Sequence, residues 1–422
     1  MKMKIPVLWM LLLMLLFPLA CGPDSIDKAP ASKGETSQVT SGTDQAILVQ
    51  GNTAFALALY QALRSNEGNL FYSPFSVSEA LAMAYAGARG TTEKQMTSTM
   101  SFNLPQDRLH SAFSALDREV ASRGQDAKGK EGRGFRLHVI NAIWGQKGYD
   151  FLPDFLSILS ANYGAGLREL DFQGAPDESR LSINKWVSDQ TEGKIEDLLK
   201  QGTLSPKTRM VLTNAIYFNA AWQNPFQELA TRDGSFRLLL GGTVKVPMMA
   251  MTEALGYARG SNFDAVQLMY DGEELSMVML VPEIGQFEAF EKSLSAKKVD
   301  DTLKGLQPQK VALTMPKFRI ESDFRLGKVL SAMGMPAAFS SGADFSGMTS
   351  KPDLFISDVV HKAMVAVDEQ GTEAAAATGV IVVGSPPGAP IRVTIDRPFV
   401  FLIRDNPTGT ILFVGRVVDP SR

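Results

Sequence analysis

Between Thr372 and Val383 the chain carries one charge, Glu373, and otherwise only small or β-branched side chains. Taken by twos, Thr372, Ala374, Ala376, Thr378, Val380 and Val382 form a face that can enter a sheet core without burying an ionised group. Glu373, on the opposite face, can stay in water. The chemistry of such a stretch is conformational, that of a strand composed to join a sheet. The alanines at 374–377 also favour helix by intrinsic propensity, and Val-Ile-Val-Val suits an ordinary buried strand, so the local pattern alone leaves these readings open. Downstream, Ser385-Pro386-Pro387-Gly388-Ala389-Pro390 cannot continue a central strand, because its prolines lack ladder donors. An exposed, extended loop is expected there.

Other chemistries find little support. His110, His138 and His361 have no motif-spaced ligand set around them, so no metal site is expected. There is no Gly-x-Ser-x-Gly elbow to suggest a hydrolase, and nothing points to a cofactor. Forty-two basic residues against 45 acidic, net −3, give no electrostatic footprint for nucleic acid. The basic residues within 123–136 are interleaved with Gly, Gln, Asp and Glu, as in a solvated loop.

The elements that must position the inserting stretch can be read coarsely. Residues 47–64 have apolar positions at helical spacing (Ile47, Phe55, Leu59, Leu63), and Ser76–Ala86 reads as a buried helix after a Ser73-Pro74 start. Thr92–Met100, Gln106–Ser122, Pro153–Tyr163 and Leu181–Gln190 read as further helices, with a strand at Leu137–Gly145. From 208 the chain turns mostly to strand: Arg209–Phe218, Ser235–Leu240, Val244–Met251, Ala265–Tyr270, Ser276–Val281, Lys310–Ile320, Val359–Val367 and a carboxyl-terminal hairpin. Helices early and strands late, without βαβ alternation, favour an α+β fold. With 422 residues and 45% hydrophobic content the chain can build a large core.

The amino end bears on location. Met1-Lys2-Met3-Lys4 is a basic start, residues 5–20 are an apolar run, and Cys21 is the only cysteine, which rules out an intramolecular disulfide. Residues 1–20 are expected to be a signal peptide. Pro18-Leu19-Ala20-Cys21-Gly22 resembles a bacterial lipoprotein processing site, which implies lipidation of Cys21 and a membrane partner through that lipid. Pro18 departs from the usual leucine, and leaves an ordinary signal peptide or an uncleaved anchor as alternatives. Residues 21–46, rich in Ser, Thr, Gly, Pro and charge, are expected to be a flexible tether. An exported protein is expected, lipid-anchored at the bacterial cell envelope or extracellular.

Several blocks resemble one family in order along the chain. Glu369-Gln370-Gly371-Thr372-Glu373 followed by small residues resembles the reactive-loop hinge of inhibitory serpins, and Arg397-Pro398-Phe399-Val400-Phe401-Leu402-Ile403-Arg404 resembles the signature after that loop. Asn69-Leu70-Phe71-Tyr72-Ser73-Pro74-Phe75-Ser76-Val77, Gly87-Ala88-Arg89-Gly90-Thr91-Thr92, Thr213 to Trp222 and His361-Lys362-Ala363 are similar to further serpin segments. The resemblance implies one domain over 47–422, with a large mixed β-sheet, two smaller sheets, about nine helices and a mobile reactive-centre loop over about 369–392.

It also implies a role. The family's inhibitors are attacked as substrates by a serine protease, form a covalent acyl complex, and insert the freed hinge into the large sheet; the non-inhibitory members serve as binding or carrier proteins, and a thiol protease is an alternative target. On this resemblance the hinge is Glu369, Gly371, Thr372, Glu373, Ala374, Ala375, Ala376 and Ala377, and the protein acts as a monomer, not an enzyme. Ser73, Ser76, Asn214 and His361 match a polar cluster holding two strands that must part, and Trp222 matches a tryptophan near the top of that gate, with core packing as its simpler role. Counting from Glu369 places the reactive bond at Ser385-Pro386, although Pro386 supplies a tertiary amide that most serine proteases cleave poorly. Val383-Gly384 and Gly384-Ser385 are the alternatives. None offers Arg or Lys, which points to elastase-like or subtilisin-like targets.

Overall fold

The computed structural model describes residues 42–125, 127, 135–164, 166–372 and 389–422. Cys21, Glu373, Ala374 to Ala377 and the candidate bonds among Val383, Gly384, Ser385 and Pro386 lie outside them.

Nine α-helices occur among the described residues: α1 (Gly42–Leu63), α2 (Pro74–Tyr85), α3 (Gly90–Met100), α4 (Gln106–Ala121), α5 (Pro153–Tyr163), α6 (Pro176–Gln190), α7 (Phe287–Ser293), α8 (Ala296–Gly305) and α9 (Gly327–Met333). The first starts inside the stretch expected to be tether, because Asp44 pairs with Arg108 of α4 and so belongs to the folded domain. By length and composition α1 could cross a bilayer, but half of its most apolar window is buried in the domain. α2 is buried along its whole length. Its start follows from chemistry: Pro74 has no N–H to leave unpaired, and the Ser73 hydroxyl caps the Ser76 N–H at 3.1 Å.

The strands are β1 (Leu70–Tyr72), β2 (Phe135–Gln146), β3 (Leu167–Leu170), β4 (Met210–Ala221), β5 (Arg232–Arg237), β6 (Thr243–Arg259), β7 (Phe263–Met269), β8 (Leu275–Pro282), β9 (Gln307–Pro316), β10 (Phe318–Arg325), β11 (Ile356–Val367), β12 (Gly371–Thr372), β13 (Ile391–Thr394), β14 (Phe399–Asp405) and β15 (Ile411–Val417). They form two sheets. One is mixed, six-stranded and ordered β10-β11-β12-β4-β2-β3, with β11 also pairing β4 in parallel. The other has nine strands. The two smaller sheets implied by the resemblance are continuous here, because β6 pairs β5 at its start, β9 along its middle and β7 at its end. The fold is α+β.

Several strand boundaries differ from the sequence reading, two of them for local reasons. The single strand expected over Lys310–Ile320 is two, β9 and β10, in different sheets. The ladder of β9 with β6 ends where the Lys317 N–H donates to the Pro247 carbonyl at 3.0 Å, because Pro247 has no N–H to return. β5 ends at Arg237, short of the expected Leu240, because the chain turns through Gly241 and Gly242, both at positive φ. β6 runs on to Arg259 well past the expected Met251.

The core lies between the sheets and around α2. Phe71 stacks on Phe413 with ring centroids 5.0 Å apart, and Phe413 in turn lies 5.5 Å from Phe218 of β4. The middle of the mixed sheet is therefore anchored to the second sheet by rings, while its two central strands meet through polar groups.

Candidate functional site

The parallel register of β4 and β11 sets Asn214 directly beside His361. Both are fully buried. The Ser73 backbone N–H donates to His361 Nε2 at 3.1 Å, so that nitrogen is bare and Nδ1 carries the proton, which it donates to Asn214 Oδ1. The Asn214 amide then donates to Ser76 Oγ and to Asn141 Oδ1, and Asn141 Nδ2 donates to Glu79 Oε2 at 2.8 Å. Burial pushes the His361 imidazole down to about 3, so it is neutral at ordinary pH. Ser73, Ser76, Asn214 and His361 are thus brought together, and every donor and acceptor in the chain has a fixed direction.

Two members of this network were not read from sequence. Asn141 sits in β2 and Glu79 in α2. A signal was present in Glu79, a carboxyl within the otherwise uncharged run Phe75–Met83 of a helix expected to be buried. Asn141 offered none beyond being polar within a strand.

The hinge begins at the other end of β4. Beyond the paired stretch Ile356–Met364 of β11, the two central strands admit Gly371 and Thr372 between them. Gly371 stands opposite Ala221 and Thr372 opposite Ala220, and Thr372 also pairs with Val367. The sequence reading takes Thr372 as the first inward position of a strand still outside its sheet; in the structure that residue is already seated and buried. Its hydroxyl meets the Tyr270 hydroxyl at 2.8 Å. Only glycine fits before it, since a Cβ on Gly371 would fall 2.1 Å from the Ala220 carbonyl oxygen.

Trp222 is wired to this seat. Its backbone N–H donates to the Gln370 carbonyl at 2.8 Å, its indole N–H to the Asp368 carbonyl at 3.0 Å, and its ring stacks on Tyr270 with centroids 4.6 Å apart. These are the contacts of the simpler packing role, with two hydrogen bonds to the segment before Gly371. Glu369 is fixed by the Phe226 N–H on its carbonyl at 2.8 Å, and by Lys317 Nζ and Thr231 Oγ1 on its carboxylate, each at 2.7 Å. Burial alone would push this carboxyl up, yet those hydrogen bonds hold it below its ordinary value.

The arrangement therefore has two parts, a neutral polar clasp between β4 and β11 and a hinge threaded into the end of the gap that the clasp closes. It holds no nucleophile and base in catalytic relation among the residues just described. What it offers is strand pairing held together by uncharged hydrogen bonds.

Comparison with known proteins agrees with this architecture. A family model described as serpin (serine protease inhibitor) matches residues 50–420. An uncharacterized serpin-like protein of Thermococcus kodakarensis is 40% identical over 401 residues, covering 94% of this chain and 91% of that one. A leukocyte elastase inhibitor of Sus scrofa is 41% identical over 384 residues, covering 88% and 99%. Among solved structures, human thyroxine-binding globulin complexed with thyroxine superposes with a TM-score of 0.80 at 32% identity, covering 89% of this chain and 99% of that one.

Proposed function

The chain belongs to the serpin family, and on that premise we propose that it is a suicide inhibitor of serine endopeptidases that acts by cleavage and insertion of its reactive loop. The observation that carries this reading is the seat of Gly371 and Thr372. Continuing that antiparallel register down β4 sets Thr378 opposite Asn214 and Val382 opposite Met210, the first residue of the strand. Continuing the register on β11 from the Val367 and Thr372 pair sets Thr378 opposite His361 as well. The two registers agree, and the apolar and small-residue stretch is as long as the gap it would fill. Its single charge, Glu373, falls on the outward parity.

The chemistry follows the loop. The protease's hydroxyl attacks the carbonyl before the scissile bond, the amine half leaves with a proton, and an ester joins the amino-terminal part of the inhibitor to the enzyme. Insertion of 373–382 then carries the tethered enzyme along the sheet. Distortion of the protease before water reaches the ester completes the trap. Loop insertion in serpins is itself a standard instance of strand addition and released strain, so the mechanism is the family's; the match of lengths and registers is this chain's.

Elastase-like or subtilisin-like enzymes are the proposed targets, because Val383, Gly384 and Ser385 are small and uncharged. Incubation with an elastase, a subtilisin and a trypsin should give a covalent complex on a denaturing gel with the first two and none with trypsin. Mass spectrometry of the released peptide assigns the bond: a new amino terminus at Gly384, Ser385 or Pro386 identifies Val383, Gly384 or Ser385 as the residue before it. Val383→Arg and Ser385→Arg, made separately, should transfer trypsin sensitivity to whichever position is presented. Cleavage confined to residues before Ala377 would defeat all three assignments, since too little strand would be left to insert.

Carriage of a small molecule is the second reading, favoured by the likeness to thyroxine-binding globulin. The same incubation separates the two, because a carrier would be cut by elastase without retaining it. We further propose that the chain is held at the cell envelope by a lipid on Cys21. Incorporation of labelled fatty acid in a bacterial host, lost in Cys21→Ser, is the expected result, and equal labelling of the variant would refute it.

A further inference from the structure

We propose that Glu79 is a proton-operated latch on the gate: neutral, it stays buried at the end of the hydrogen-bond chain that holds β4 to β11, and ionised, it favours the parted strands, where water can reach it. The inference rests on the inhibitory reading above but concerns what sets its readiness.

The chain of bonds runs Glu79, Asn141, Asn214, His361, Ser73, from α2 through β2, β4 and β11 back to the cap of α2. Its two ionisable members are Glu79 and His361, and burial holds His361 neutral at about 3, which leaves Glu79 as the one able to change charge above that. A cavity of about 260 Å³ lies on the other side of the carboxyl, lined by Glu79 and Asn141 and reaching the exposed Gly164, Gly166 and Arg168. Protons therefore have a path to a residue that is 6% exposed.

Among the groups facing Glu79, one carries a like charge. From α4 comes the half-buried carboxylate Asp117, which repels a second negative charge. From α5 comes Tyr163, whose hydroxyl is bonded to His110 Nδ1 at 2.7 Å, and that imidazole is held at about 4 by burial and is uncharged. From α6 come the uncharged Trp186 and Gln190. Arg168 of β3, at the mouth, lies over the Trp186 ring at 4.8 Å. Burial first, and Asp117 second, hold the Glu79 carboxyl well above its ordinary range, against the hydrogen bond from Asn141.

Opening changes that environment. β2 is laddered to β4 along Phe135–Gly145 and β3 to β2, so strands leaving β11 move as a unit, whereas Glu79 and Asp117 stand on α2 and α4. The cavity lies on the seam between these bodies. Parting the gate stretches the bond between Glu79 and Asn141 and lets water reach the carboxyl, which there ionises at its ordinary value. A group whose value is raised in the closed state stabilises that state at low pH and loses the contribution as pH rises toward the raised value. The closed gate is accordingly firm in mild acid and loosens with rising pH.

The test uses a synthetic peptide copying 373–383, added to the purified intact chain, with insertion followed as the gain in thermal midpoint. Between about pH 5 and about pH 8 the insertion rate should rise about tenfold, because the closed state alone loses stability as its raised carboxyl ionises. Glu79→Gln keeps an acceptor oxygen for Asn141 but cannot ionise, and should insert slowly at both pH values. Asp117→Asn removes the repulsion and should shift the rise toward acid. If Glu79→Gln keeps the wild-type pH ratio, or Asp117→Asn leaves the profile in place, the latch is refuted while the inhibitor reading stands. Absence of peptide insertion at every pH would remove both.

Discussion

Thr372→Arg is expected to turn a trap into a substrate. The native Thr372 is buried between β11 and β4, with its hydroxyl on Tyr270. Arginine there would place an unpaired cation in the buried seat beside the Tyr270 hydroxyl, and the inserted strand could not shed it without giving up the start of its register. A penalty of roughly 3 kcal/mol on insertion slows it about a hundredfold, enough for hydrolysis of the ester to win. Loop cleavage should proceed at the wild-type rate, with the covalent band on a denaturing gel replaced by cut inhibitor and active enzyme. Tryptophan fluorescence of the intact variant should also change, since the Trp222 indole donates to Asp368 next to the displaced segment. Thr372→Ser, which keeps the hydroxyl, should trap normally. A Thr372→Arg protein that still retains protease at unchanged stoichiometry would sink the proposal that insertion proceeds from this seat.

Much of this site was legible because its residues are chemically unusual for where they sit. A run of alanines flanked by Gly371 and β-branched residues, followed by prolines, is poor material for a fixed loop and good material for a strand. Ser73 before Pro74 is a helix start on capping grounds alone. What stayed hidden depends on pairing across long separations. That Thr372 is already in place before cleavage follows from its contacts with Ala220, Val367 and Tyr270, none of which is visible in the local pattern. Asn141 is informative only once β2 is set against β4 so that it stands opposite Asn214. The short helices α7 to α9 were missed because seven to ten residues give too few turns for an apolar stripe to stand out. The division of Lys310–Ile320 between two sheets was missed because both halves have strand composition, and the break is set by the missing donor of Pro247 on β6.

The closed clasp and the half-threaded hinge together imply a stored difference in stability, and cutting the loop should release it. Cleavage within 382–387 frees the strand to continue past Thr372 along β4 and β11, replacing the direct pairing of those strands by two new ladders. Ala374, Ala376, Thr378, Val380 and Val382 then go inward. Burial of these side chains contributes on the order of 5–10 kcal/mol, which for a domain of this size raises the thermal midpoint by about 10 °C. Thr378 would arrive between Asn214 and His361, where a hydroxyl can take up a bond that parting the clasp leaves open. Differential scanning calorimetry of intact and nicked protein measures the gain directly. The nicked Thr372→Arg variant provides the internal comparison: it has the same cut but a blocked first step, so its midpoint should stay near that of the intact chain. If nicked wild-type protein melts at or below the intact form, the intact fold is not the less stable arrangement of this sequence, and the seat of Gly371 and Thr372 is an end point and not the start of an insertion.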